Sequence, residues 1–220
     1  MKRIIALILA LAAIFTLTAC GNGDVDTSKD PATDAPEATQ DNTPAASSFE
    51  DPLAVLDAIW EKYTEDELFP ALGGNRDAMV ENAPGAFDFE NAAEELTSSF
   101  LLPEANMADL KAVATLVNMM NGNTFSAAVF ETDGDLDALS QVLVDAANAK
   151  QFICGAPETM VTLKVGQYLI MVFGADGNVQ TFKTHALELE GVSLIHEGPI
   201  TFSGNPAGGG LGGGIIIPGF

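Results

Sequence analysis

The chain has 220 residues, 47% of them hydrophobic, and sets 31 acidic side chains against 9 basic ones for a net charge of −22. A surface of that sign is repelled by nucleic acid and by anionic headgroups, which excludes nucleic-acid binding and membrane attachment through a basic patch. The two cysteines, Cys20 and Cys154, provide no disulfide framework.

The first element is an export signal. Lys2 and Arg3 form a positive start, and Ile4 to Leu17 is apolar apart from Thr16, a run too short for a stable bilayer span. It closes on Leu17-Thr18-Ala19-Cys20, with small residues at the two positions before the thiol. This ending resembles the lipobox of bacterial lipoproteins, and the resemblance implies lipidation of Cys20 and loss of residues 1–19. Cleavage removes Lys2 and Arg3 but none of the 31 acids, so the net charge of −22 becomes −24. Residues 20–48 then read as the lipidated cysteine and an acidic, disordered linker, with Val25 the one large apolar residue between Gly21 and Ser48. As a coil that linker spans roughly 30 Å, enough to hold a folded body off a lipid surface.

A single domain is expected over 49–203. Asp51-Pro52 is a helix start, and Leu53, Leu56, Ile59, Trp60 and Tyr63 share one face, which predicts a helix to about Tyr63. Phe89, Ala92, Ala93, Leu96 and Phe100 predict a second helix, ended before Pro103. The glycine-rich stretch from Leu72 to Gly85 reads as a long loop.

Val129-Phe130-Glu131-Thr132-Asp133-Gly134 returns as Val172-Phe173-Gly174-Ala175-Asp176-Gly177, and helical spacing follows each copy. An extended run precedes each unit, Thr115 to Met120 and Val161 to Val165. The first of these also fits a helix through Leu110, Val113, Leu116, Val117 and Met120; the repeat decides for a strand. Tyr168 to Phe173 is apolar on both alternations, as a central strand would be. The expected fold class is α+β, a mainly antiparallel four-stranded sheet from two β-hairpin-plus-helix repeats with additional N-terminal helices. One sheet face is expected to take both repeat helices. Residues 204–220 form a Gly-rich tail ending in Ile215-Ile216-Ile217-Pro218-Gly219-Phe220; disorder with an exposed apolar end is favoured over docking.

The order of lipobox, acidic linker and short helices, then Met119-Met120-Asn121 and Val165-Gly166-Gln167-Tyr168, resembles a family of uncharacterised lipoproteins of low-GC Gram-positive bacteria. The resemblance covers Pro52 to Glu190 and implies no activity.

Few residues invite chemistry. Asp133, Asp135 and Asp137 alternate as in the start of an EF-hand loop, but Ala138 and Val144 stand where that loop needs glycine and glutamate. Capping of the following helix accounts for them. His196-Glu197 lacks the second histidine of a zinc-protease helix, having Ile200 there, and His185 falls in the second repeat helix. Cys154, in Phe-Ile-Cys-Gly, reads as a small buried hydrophobe. No catalytic, cofactor-binding or metal-ligating residue is nominated, and no cofactor is expected; lipidated Cys20 is the one assigned site. The expectation is a lipid-anchored protein on the extracytoplasmic face of the cell membrane, binding an envelope protein or small ligand. The alternative is an envelope hydrolase working through carboxylates or a bound cation. A shallow apolar patch would favour the first, convergent buried carboxylates the second.

Overall fold

The computed structural model describes residues 49–153 and 155–201. The export signal, Cys20, the linker, Cys154 and the Gly-rich tail lie outside the described residues.

Helix α1, Pro52–Trp60, starts as expected: Asp51 accepts a hydrogen bond from the Ala54 amide at 2.8 Å, and Pro52 opens the first turn. It stops three residues before Tyr63, where the amides of Lys62 and Tyr63 turn back to the carbonyls of Ile59 and Trp60. The second helix, α2, Ala93–Phe100, is shorter than its apolar spacing suggested. Asp88 accepts from the amide and side chain of Asn91 and so holds a turn ahead of it.

Leu72 to Gly85 is a correction. Strands β1 (Ala71–Gly73), β2 (Val80–Glu81) and β3 (Gly85–Ala86) occupy this predicted loop. The strands β1 and β3 lie end to end along one neighbour, β4 (Leu110–Asn118): Gly73 faces Leu116 and Gly85 faces the next residue, Thr115. A Cβ on Gly73 would stand 2.2 Å from the Gly85 nitrogen, so glycines that read as loop residues instead permit two backbones to abut.

The remaining strands are β5 (Phe125–Thr132), β6 (Thr159–Val165), β7 (Tyr168–Gly174) and β8 (Ser193–Pro199). Helix α3, Leu136–Ala149, follows β5, and α4, Asp176–Leu187, follows β7. The fold is α+β with an antiparallel sheet of eight strands, ordered β2-β1-β4-β5-β7-β6-β8 with β3 also on β4. Four strands were therefore too few. The strands β1 to β3 are too short for alternation to register, and β8 is an edge strand whose residues are mostly exposed or half-buried.

The run expected to be extended from Thr115 to Met120 is a strand through Asn118 only, with Met119 and Met120 beyond its end, and the strand starts earlier, at Leu110. Val113, Ala114, Thr115 and Leu116 are buried on alternating faces of a two-sided sheet, which fills in the apolar run. Strand β7 is buried along its whole length, between β5 and β6.

The helices do not share a face as expected. One core holds Val55, Leu56 and Ile59 of α1 and Val179, Phe182 and Ala186 of α4 against Phe125, Ala127, Val129, Ile170 and Val172. The other holds Leu96 and Phe100 of α2 and Leu139, Leu143 and Ala147 of α3 against Ala128, Phe130, Leu169, Met171 and Phe173. Topology explains this. The connections β5-α3-β6 and β7-α4-β8 each join parallel strands and step the same way along the sheet, yet β5 and β7 run in opposite directions. Crossovers of one hand must then lie on opposite faces.

Candidate functional site

The acidic run of Asp133 to Asp137 is taken up by structural partners. Asp135 caps α3, accepting from the amides of Asp137 and Ala138 at 2.9 and 3.1 Å. Asp133 pairs with Lys111 at 2.6 Å and Asp137 with Lys164 at 2.8 Å. Asp176 lies in the first turn of α4 and accepts from Thr159 at 2.8 Å. Among the described residues no group of three or more His, Cys, Asp or Glu is placed to hold a metal ion.

His196 lies on β8, a strand and not a metalloprotease helix. Its neighbour Glu197 accepts from Lys183 at 2.6 Å and from Gln180 at 2.9 Å, fastening the edge strand to α4. The Lys183 ammonium, then the Gln180 amide, hold that carboxyl below its ordinary range. Ile200 is buried in the core beside α3.

His185 has an environment the sequence did not disclose. Its Nε2 lies 3.1 Å from Glu67 Oε2, in the turn after α1, and its ring stands beside Tyr63, centroids 5.0 Å apart. Glu67 Oε2 also accepts from the amide and hydroxyl of Thr64, at 2.9 and 3.0 Å. Those bonds, the Thr64 amide foremost, hold the Glu67 carboxyl below the usual glutamate range. Tyr63 belongs to an aromatic group with Trp60 and Phe69, and burial, with Glu67 nearby, raises its phenol well above the ordinary range. The Tyr63 hydroxyl and His185 Nδ1 are buried without a hydrogen-bond partner in the described protein. Periodicity placed Tyr63 in a core stripe and His185 on a helix; nothing in the sequence paired them across more than a hundred residues.

The second feature is an apolar end of the sheet. Met120 and Ile153 are 80% and 81% exposed, and Met119 is 50% exposed. They lie in separate loops, between β4 and β5 and between α3 and β6. The Asn123 amide ties these loops together by donating to the carbonyls of Ile153 and Gly155 at 2.7 and 2.8 Å. From Ala112 to Phe130 there is no charged residue, and between Asp145 and Glu158 only Lys150, unusual for so acidic a chain. Lys150 donates to the Ser98 carbonyl and lies over the Phe152 ring, 5.0 Å from its centroid; burial lowers its ammonium pKa. Trp60, the one tryptophan, is half-buried and donates to the Asn82 carbonyl at 3.3 Å.

Compared with protein-family models, curated proteins and solved structures, the chain matches none. No helix among the described residues is long and apolar enough to cross a membrane.

Proposed function

We propose that this chain is a non-enzymatic binding module of the cell envelope, held to the extracytoplasmic face of the membrane by lipid on Cys20 and related to the uncharacterised lipoproteins it resembles. The observation that carries the reading is the apolar end bearing Met119, Met120 and Ile153. Exposed methionines adapt to varied apolar surfaces, and loops without acids of their own, 112–130 and 146–157, are where a chain of this charge can approach a partner with less repulsion. The partner in this reading is an envelope protein with an apolar contact surface. Pairing of Asp133, Asp135 and Asp137 with lysines and helix amides favours it over the hydrolase alternative.

The scaffold behind that end is proposed to be an internal repeat centred on Phe130 and Phe173. Support comes from the β5–β7 register: Phe130 faces Leu169 and Phe173 faces Ser126, so the residues equivalent under the repeat exchange places. Both phenylalanines point to the same core. The helices escape this symmetry because both connections advance in one direction.

Crosslinking in intact cells tests the binding surface. The chain and a Met120→Asp/Ile153→Asp variant are compared at equal membrane levels. Loss of specific crosslinks in the variant is the expected result; an unchanged pattern removes this end as the contact surface.

A further inference from the structure

We infer that the Tyr63 hydroxyl and His185 Nδ1 form a binding site for one small uncharged molecule, of the size and chemistry of water, that accepts from the phenol and donates to the imidazole. The polarity of the site follows from the groups around it. An ionised Glu67 can only accept, so the proton in its 3.1 Å contact with His185 resides on Nε2. The carboxylate oxygen is anchored by two further donors from Thr64 and cannot turn away to release that constraint. The proposed site takes the ring as neutral, in which case a proton on Nε2 leaves Nδ1 with a lone pair. Nδ1 is therefore an acceptor, and the phenol, kept protonated by burial, is a donor.

Both atoms are buried, and among the described residues neither finds a partner or bonds to the other, although the rings stand at 5.0 Å with 48° between their planes. Tyr63 is 9% exposed and the His185 side chain 12%. Buried polar groups are as a rule hydrogen-bonded, and a donor and an acceptor on adjacent rings are satisfied by one bridging molecule that carries both functions. Proximity to Glu67 disfavours an anion, and the neighbouring Trp60 and Phe69 rings leave the wall apolar. The result is a chain of hydrogen bonds from Tyr63 through the bound molecule to His185 and on to Glu67, joining the segment that follows α1 to α4.

Nitrogen-15 NMR of the full chain labelled at histidine tests this at neutral pH, with His185 and His196 told apart by a His196→Gln variant. Expected are a proton on His185 Nε2, an Nδ1 resonance at the position of a hydrogen-bonded acceptor, and cross-relaxation between the Tyr63 hydroxyl and a slowly exchanging water. Tyr63→Phe should leave the tautomer intact but alter the Nδ1 resonance, and Glu67→Gln should mix the tautomers. An Nδ1 resonance typical of a free lone pair, a proton on Nδ1, or no water contact in the unsubstituted chain would overturn the site. A tautomer unmoved by Glu67→Gln would overturn the role given to the carboxylate.

Discussion

Asp135 and Glu67 show how single carboxylates in this acidic chain are committed to structure. Asp135 accepts two amide bonds at the start of α3, so Asp135→Ala should destabilise the fold by about 1 kcal/mol, read as a lower urea midpoint at unchanged slope. The depressed pKa values of Glu67 and Glu197 mean that their stabilising contribution is complete above 4.5, the value of a free glutamate, and is lost as pH falls through the folded-state values. Asp57, raised by burial and by Glu61 and Asp51, works in the opposite sense: its contribution is complete below 3.8 and is lost as pH rises through its folded-state value. Urea midpoints across pH 3 to 6 should therefore fall on acidification, and Glu67→Gln/Glu197→Gln should flatten that fall. An unchanged slope would show these carboxylates to be bystanders. In the core, Phe130 and Phe173 are 0% and 2% exposed, and truncating either to Ala should cost about 3–5 kcal/mol by chemical denaturation. The cap at Asp135 was legible because side chain and helix are neighbours in sequence; the Glu67–His185 contact was not, because chain order says nothing of which loop meets which helix.

At the scale of elements, the long strands and helices announced themselves by length and periodicity, whereas the short ones depended on what they met. The strands β1 and β3 exist because β4 offers its edge to both, and Gly73 and Gly85 allow the two backbones to meet there. Gly73→Ala should cost about 1–3 kcal/mol, since the new methyl would strike backbone with no flexible side chain to yield. A neutral effect on the thermal midpoint would mean that the junction is looser than 2.2 Å implies. The opposite edge is protected by other means. Strand β8 carries a register shift opposite Thr162 and Leu163, ends in Pro199 and is pinned by Glu197 to α4, features that discourage further strand pairing.

For the molecule as a whole, acidity is spread over the body, while residues 112–130 and 146–157, which carry Met119, Met120 and Ile153, contain no acid. Met120→Asp/Ile153→Asp should leave the thermal midpoint nearly unchanged, because the side chains are exposed, while abolishing partner crosslinks. Cys20→Ala is expected to move the processed chain from the membrane fraction to the soluble one; continued membrane association would remove the lipid anchor from the reading.

The sequence by itself determined the α+β class, the starts of α1 and α3 and the two-sided burial of β7, all of which follow from neighbouring residues and spacing along the chain. Only the tertiary structure decided that α3 and α4 take opposite faces, that a glycine-rich segment becomes three strands, and that Met120 and Ile153 share one end with Asn123 between their loops. Each of these depends on strand direction or on contacts between distant segments, and the pattern of hydrophobic residues carries no information about either.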